Sequence, residues 1–215
     1  GPPVTLAGTA LADDLCDFLE RSGAANAPVL CAFAREFFSK VPRHLAEERP
    51  LEDVAAMTAG AFRFVQEARS EVSVEVIDPE SEGWSAPVTV LRVSLADRPF
   101  VVDTIREYLA SENLVIQRFI HPVLGVLRTR EGEVERVGDP TVGPPEALVH
   151  CEIARLADVG YGRIAAATID LGVQEVVRSE LAASVSRFKA KGGSAIVLDV
   201  ATGEILGMVS MPDFD

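Results

Sequence analysis

The sequence lacks a surplus of basic residues and lacks the long apolar runs of a membrane span. Its 215 residues include 20 Lys and Arg against 33 Asp and Glu, a formal net charge of −13 at pH 7. Nucleic acids and anionic membranes both attract cationic proteins, so neither is an expected partner. No apolar stretch approaches the roughly 18 residues of a transmembrane helix. The N-terminus also lacks a basic, apolar, small-residue signal pattern. We therefore expect a cytoplasmic protein without a membrane span.

Cysteine is scarce, and the motifs of common catalytic and metal sites are missing. Cys16, Cys31 and Cys151 are scattered along the chain. Isolated cysteines in apolar surroundings indicate reduced core residues, and without C-x-x-C or H-x-x-x-H a structural zinc site is not expected. There is no G-x-G-x-x-G nucleotide fingerprint and no P-loop. No histidine has a Ser-His-Asp or Cys-His pattern around it, and the sequence identifies no partner for His44 or His150. We expect no cofactor, no metal and no catalytic residue.

Hydrophobic residues, by contrast, make up 48% of the chain, which is enough for a folded core. In the first third they recur at the spacing of amphipathic helices. Pro28 and Pro50 are well placed to start the second and third of these helices, because proline favours the first helical turn. The apolar faces run from Leu11 to Leu19, from Leu30 to Val41 and from Leu51 to Val65. This pattern predicts an N-terminal helical subdomain over residues 1–70.

After residue 71 the apolar period changes to the alternation of half-buried strands. The order strand, helix, strand, strand is most of a ferredoxin-like β-α-β-β-α-β unit, which still requires one helix and one strand. Apolar spacing over 171–190 and a buried run over 194–200 would supply both, and 204–211 would add an extra C-terminal strand. The first elements are strands at 72–76 and 88–95, a helix from 101 to about 112, a β-rich run at 114–127 broken at His121-Pro122, a turn at 130–133 and strands at 134–137 and 148–153.

Linked motifs between Leu30 and Arg155 resemble one enzyme family. The stretch from Asp97 to Asp103, followed by His121-Pro122-Val123, is close to a D-x-P-F-L-V-D-S pattern followed by H-P-V. This pattern is typical of the N-terminal, ACT-like region of large bacterial NAD-dependent glutamate dehydrogenases. The resemblance implies an α+β fold with an N-terminal helical layer and an ACT-like, ferredoxin-like antiparallel sheet over residues 71–156. It also implies a role in oligomer contacts or allosteric regulation, away from catalysis. Supporting motifs in the same order are Phe33–Phe38, Ala61–Phe64, Val74–Pro79 and Gly83-Trp84.

The turn at 96–103 resembles the D-R-P-G turn of ACT domains, which often meets a small effector such as an amino acid. Free N–H groups at a helix N-terminus beside Arg98 would favour a carboxylate. Against a ligand, Phe100 stands where many amino-acid-binding ACT domains have glycine. In the alternative, Asp97 caps the helix, Asp103 complements its dipole and His121 is structural. The candidate ligand-binding residues are Asp97, Arg98, Pro99, Phe100, Asp103 and His121.

Residues 164–215 resemble the opening of a division-type penicillin-binding transpeptidase domain. Thr168-Ile169-Asp170 with Gln174 matches T-I-D-x-x-x-Q, and the run from Ala195 to Met208 is close to A-I-V-L-D-x-x-T-G-E-I-L-A-M. These are scaffold elements, and the catalytic S-x-x-K, S-x-N and K-T-G boxes of that family lie further on. Ser186 and Lys189 satisfy S-x-x-K but precede the first strands, which is the wrong place in the family order.

The chain therefore joins scaffold pieces of two enzyme families, a chimera without either active site. The leading hypothesis is a non-catalytic regulatory or oligomerisation module, with 164–215 a helix and β-hairpin segment that completes the ACT-like sheet. One alternative is a fragment of an enzyme, either a glutamate dehydrogenase or a peptidoglycan transpeptidase, that lacks its active site. Another is an amino-acid-sensing ACT-like domain. The expected partners are a second copy or the rest of a larger enzyme, and a small amino-acid effector.

Overall fold

The chain divides into two compact units. The first comprises Gly1–Asp97 with Val115–Tyr161, and the second Arg98–Leu114 with Gly162–Asp215. The N-terminal helices and the main sheet thus share one unit, and the helix after residue 100 is grouped with the C-terminal segment. The computed structural model describes residues 7–24, 26–41, 49–68, 72–97, 101–156, 173, 176–198 and 205–211.

Among the described residues before the sheet, three segments are helical, as their apolar spacing predicts. They are α1 (Ala7–Arg21), α2 (Ala27–Phe37) and α3 (Leu51–Glu67). Pro28 lies in the first turn of α2, and Pro50 precedes α3 with extended backbone at φ −55° and ψ 145°. Gly23 follows α1 with φ 71°, a left-handed conformation that suits glycine and turns the chain towards α2.

Six antiparallel strands form the sheet of this unit. β6 is central, because β2 pairs along one of its edges while β3 and β4 share the other. The interruption between β3 and β4 falls at His121-Pro122, as expected for a proline that cannot donate to the ladder. The strand order is β1-β2-β6-β4-β5 with β3 also on β6, and the strands are β1 (Val72–Ile77), β2 (Val88–Ala96), β3 (Ile116–Ile120), β4 (Val123–Arg128), β5 (Val134–Gly138) and β6 (Pro145–Ala154).

The three helices and one face of the sheet enclose the core. Aromatic rings dominate the helical side, where Phe33 stacks on Phe37 at 5.3 Å and contacts Phe62 at 5.2 Å between ring centroids. On the sheet side the core includes Val88, Val90 and Leu148. Successive side chains of a strand alternate between faces, so Arg92 and His150 point towards the same helices. The α+β class predicted from the sequence is confirmed.

The expectation that residues 194–200 complete this sheet is wrong. In a ferredoxin-like unit the last strand lies beside the first, which here is β2. Both edges of β2 are already hydrogen-bonded, to β1 from Val72 to Ile77 on one side and to β6 on the other. A strand has only two edges, so β1 occupies the position that the later strand would need.

In the second unit, the C-terminal strands instead pair with each other. β7 (Gly193–Leu198) and β8 (Ile205–Met211) form an antiparallel two-stranded sheet. The helical residues 176–188 pack on it: a Cβ built on Gly193 would lie 3.0 Å from Leu181 Cδ1 and 3.3 Å from Val185 Cγ2. This unit also contains α4 (Val101–Ser111).

Candidate functional site

A row of polar side chains crosses the helix-facing side of the main sheet. The strand register places Glu75 of β1 opposite Arg92 of β2, and Arg92 opposite His150 of β6. Arg92 and His150 are both 0% exposed. Ionised side chains are rarely buried so completely unless they are paired. The partners of these groups therefore decide what the site can do.

Arg92 uses every nitrogen of its guanidinium. Nη1 donates to Glu75 Oε1 at 2.7 Å and to Glu82 Oε1 at 2.6 Å, and Nη2 donates to Glu82 Oε2 at 2.7 Å. Nε donates to His150 Nδ1 at 3.1 Å. The two bonds to Glu82 form the bidentate pair that guanidinium and carboxylate geometry favours. Arg92 thus ties β2 to β1, to β6 and to the short helix that carries Glu82.

Glu82 ends a 3-10 helix (Pro79–Glu82) that follows β1. Its carboxylate also accepts from Arg63 Nη2 at 3.1 Å and from Trp84 Nε1 at 3.3 Å. Burial opposes its ionisation, but the hydrogen bond and charge of Arg92, together with the hydrogen bonds from Arg63 and Trp84, outweigh burial and hold the pKa of Glu82 below its usual range. Gly60 of α3 makes room for it, because a Cβ there would lie 2.2 Å from the carboxylate.

Glu152 is the second buried carboxylate, two residues along β6 from His150. Arg49 donates to both of its oxygens at 2.6 Å, and Arg118 Nε lies 3.7 Å from Oε2. Burial raises the pKa of Glu152, but hydrogen bonds from His150 and Arg49 prevail and lower it to about 2. The Arg49 guanidinium also lies 4.8 Å from the centroid of the Trp84 ring. Glu152 therefore fixes the residue that leads into α3.

His150 is held neutral between these two groups. Its Nδ1 accepts from Arg92 Nε, so the remaining proton lies on Nε2, 3.4 Å from Glu152 Oε1. Burial is the main cause that lowers the pKa of His150; the Arg92 charge adds to it and Glu152 opposes it. The Phe37 ring meets the imidazole edge-on at 5.6 Å. Enclosed in this way, His150 has no solvent contact through which to serve as a proton shuttle.

We call this set the buried charge network: Arg49, Arg63, Glu75, Glu82, Arg92, Arg118, His150 and Glu152. Its three carboxylates all contact arginine, so each negative charge is compensated within the network. Removing one member of such a pair leaves the other buried and uncompensated, which costs about 3–5 kcal/mol. The network therefore fixes α3 and the 3-10 helix on the sheet.

The predicted ligand-binding residues that the structure describes are not members of this network. Arg98, Pro99 and Phe100 lie outside the described residues. Asp97 is exposed and its N–H donates to Pro145 O, whereas His121 is half-buried with Nδ1 3.4 Å from Leu148 O. The two acceptors, Pro145 O and Leu148 O, are three residues apart on β6 and lie on its opposite edges. The backbones of Asp97 and His121 are therefore more than roughly 10 Å apart. Asp103 is an exposed residue in the first turn of α4.

Sequence reasoning missed the network. The sequence did contain a signal, because alternate residues of a strand lie on the same face. Arg92 shares a face with the apolar Val88 and Val90, and His150 and Glu152 share a face with Leu148. A charged residue on the apolar face of a strand indicates a buried ion pair. The partners could not be named, because Arg49, Glu82 and Glu152 are far apart in sequence. Within the part of the chain that the structure describes, no three His, Cys, Asp or Glu residues are grouped so that they could hold a metal ion.

The strand order and the position of the helices define the class of protein. It is an α+β domain in which β2, β6 and the β3–β4 run have the neighbour order of a ferredoxin-like sheet, with helices on one face. Residues 33–166 match the family model described as "Glutamate dehydrogenase, ACT1 domain". The chain belongs to this family.

Two curated relatives are NAD-specific glutamate dehydrogenases. The protein of Halomonas elongata is 32% identical over 130 residues, which are 57% of this chain and 8% of the relative. That of Pseudomonas aeruginosa is 30% identical over 140 residues, or 62% of this chain and 9% of the relative. The matched region therefore spans about a tenth of the length of these relatives.

A third relative belongs to the other family that the sequence resembles. The "Probable peptidoglycan D,D-transpeptidase FtsI" of Caulobacter vibrioides is 39% identical over 84 residues, which are 39% of this chain and 14% of the relative. The chain thus carries sequence similar to two families. No solved structure matches it. Among the described residues, no helix combines the length and apolarity that crossing a membrane would require.

Proposed function

We propose that this chain is a non-catalytic module that self-associates and serves regulation or assembly in an enzyme of the glutamate dehydrogenase type. The observation that carries the proposal is the buried charge network. Its histidine and its carboxylates are occupied by arginines of the network, and His150 and Glu152 also contact each other, which leaves no titratable group of the network for proton transfer to a substrate. A catalytic acid or base must reach the proton it moves. The network therefore supports a rigid domain that acts through contacts of its surface with other chains.

The sheet edge formed by β1 is the proposed contact between copies. β1 stands at one end of the strand order, and its sequence from Val72 to Ile77 contains neither Pro nor Lys. The strand at the other end, β5, carries exposed Glu135 and Arg136, which are typical protections of a sheet edge. The single charge of β1, Glu75, is turned into the network. Antiparallel pairing of two β1 strands would continue the sheet across a twofold axis.

Sedimentation velocity of the full chain over a concentration series tests this contact. We expect a dimer at tens of micromolar, and we expect Ser73→Lys on β1 to weaken its association at least tenfold. Ser85→Lys, the same charge change at an exposed position outside the strands, is the matched control and should leave the dimer unchanged. A chain that remains monomeric, or that dimerises equally with Ser73→Lys, would exclude pairing through β1.

We also propose, from the family resemblance, that the turn with Asp97, Arg98 and Asp103 takes a small amino-acid effector. Arg98 would pair with the α-carboxylate, since guanidinium and carboxylate form bidentate hydrogen bonds. Titration calorimetry with a panel of amino acids tests this role. Heat should appear for one class of side chain and disappear in Arg98→Ala, but not in the control Arg130→Ala at the exposed β4–β5 turn. Heat that survives Arg98→Ala would count against this assignment.

For the transpeptidase-like segment we propose a scaffold role without acylation chemistry. Lys189 of the S-x-x-K match has a left-handed backbone at φ 49°, and its N–H donates to Ser186 O in the turn that ends the helix. The general base and nucleophile of such a box would have to share one rigid helix face. A fluorescent penicillin should leave the chain unlabelled. Labelling that Ser186→Ala abolishes would overturn the proposal.

A further inference from the structure

Helices α1 and α2 form an antiparallel hairpin. One hydrogen bond between them shows which of their residues lie opposite each other. Arg35 Nη1 of α2 donates to Asp13 Oδ1 of α1 at 2.5 Å. Both residues lie in the halves of their helices that are remote from the connecting turn at 22–26. Two helices that meet at their remote ends and are joined by so short a turn run antiparallel.

The same register brings Cys16 opposite Cys31. Cys16 is three residues after Asp13, and Cys31 is four residues before Arg35. Residues three or four apart share one face of a helix. Both cysteines lie one helical turn closer to the connecting loop than Asp13 and Arg35 do. The two cysteines therefore face each other. Burial, and after it the nearby Cys31 thiol, raises the pKa of Cys16 to about 12.

The two thiols belong to the core yet lie near its rim. Cys16 is 5% and Cys31 is 9% exposed, and both are free. Cys151, the third cysteine, is 0% exposed and belongs to the central strand β6. Neighbours of Cys16 and Cys31 in the core include Leu19 and Leu30, so the pair has no polar partner set that would suggest a metal site.

We propose that Cys16 and Cys31 are a facing pair of thiols that an oxidant closes to an intramolecular disulfide, which crosslinks α1 to α2. With a peroxide as oxidant, one thiolate attacks the O–O bond and becomes a sulfenic acid as hydroxide or water leaves. The second thiolate then attacks that sulfur, the S–S bond forms, and the S–O bond breaks with release of water. Overall, two thiols and one hydrogen peroxide give one disulfide and two waters.

The disulfide would clamp the helical layer. It closes a loop of about 15 residues that contains the turn between the helices, so it removes conformational freedom from the unfolded chain. The layer it stabilises packs on the buried charge network, because Phe37 of α2 contacts His150. Oxidation would thus stiffen one side of the domain without altering the sheet.

Peptide mapping of the full chain after peroxide treatment tests the proposal. We expect a linked pair of peptides, one with Cys16 and one with Cys31, lighter by two hydrogen atoms than their sum. The melting temperature should rise by roughly 5 °C and return on reduction. Closure should accelerate with pH, because thiolate is the nucleophile. Cys151→Ser should leave the link intact, whereas Cys16→Ser or Cys31→Ser should abolish it.

Refolding in a glutathione redox buffer gives a second measurement that does not depend on oxidant reaching the core. The fraction of Cys16–Cys31 disulfide should be at least tenfold higher in buffer than in denaturing urea, since only the folded hairpin holds the thiols together. Equal fractions in both solvents would overturn the proposal. So would a dominant link to Cys151 or between chains.

Discussion

At the scale of single residues, Gly60 shows how closely the charge network is fitted. Alanine favours a helix interior over glycine by about 1 kcal/mol, so Gly60→Ala would stabilise an isolated α3. In the folded chain its Cβ would meet the Glu82 carboxylate at 2.2 Å. Glu82 cannot retreat without losing Arg92 and Trp84. We therefore expect a net destabilisation of about 2 kcal/mol in urea unfolding.

A double-mutant cycle separates this contact from a general effect on α3. In a Glu82→Ala background the obstacle is gone, and Gly60→Ala should then be neutral or stabilising by up to about 1 kcal/mol. A loss of about 2 kcal/mol in both backgrounds would show that the cause is not Glu82.

His150 gives the domain a predictable pH dependence. Burial lowers its folded-state pKa, so the unfolded chain binds a proton more readily than the folded chain does. Stability is therefore full above the ordinary histidine pKa of about 6.5 and declines as pH falls below it, by up to about 1.4 kcal/mol per unit. Glu152, with a pKa of about 2, contributes only at lower pH, below the usual glutamate value.

Urea unfolding at several values between about pH 5.5 and pH 8 tests this dependence. His150→Gln keeps an acceptor for Arg92 but cannot titrate, so its stability should change less with pH across this range. An unchanged slope in His150→Gln would assign the effect to other groups.

At the scale of elements, the sheet predicts where the chain is best protected from hydrogen exchange. β2 and β6 have both edges paired, whereas β7 and β8 have only each other. Two-stranded sheets are marginal by themselves, and Ile196 of β7 is 57% exposed. Amides of β2 and β6 should exchange only through global unfolding, and those of β7 should exchange at least tenfold faster. Equal rates, measured by mass spectrometry, would contradict this order.

The local elements of the first unit could be predicted because each has a local cause. Apolar spacing and prolines set the helices, Pro122 separates β3 from β4, and Gly132 at φ 87° turns the chain into β5. Strand pairing is not local. The elements predicted between residues 88 and 153 leave one edge of β2 without a neighbouring strand. Residues 72–77 and 194–200 both have the apolar pattern of a strand that could pair there. The structure gives it to β1, and the short chain separation between β1 and β2 makes that hairpin entropically cheaper to close.

The candidate site divides in the same way. Arg92 and His150 stand at positions whose alternation in the strand marks them as buried, but their partners come from β1, the 3-10 helix and other strands, which only the tertiary structure brings together. The turn residues from Asp97 to Asp103 came from a family pattern, and their role stays a prediction.

At the scale of the whole molecule, the net charge of −13 should govern association. Two copies repel each other at low ionic strength, and the repulsion is screened over about 10 Å at 0.1 M salt. The dimer proposed for β1 should therefore tighten several-fold as salt rises from about 0.01 M to about 0.15 M, measured by sedimentation. Weakening with salt would point to a contact built on opposite charges.

The position of β1 also bears on how such a chain can be recombined. Because the strand beside β2 is contributed from upstream, all six strands of the main sheet lie before residue 155. A segment that follows can be exchanged without unpairing a strand of that sheet. A gene breakpoint just after this residue would therefore preserve every strand pair of the domain before it.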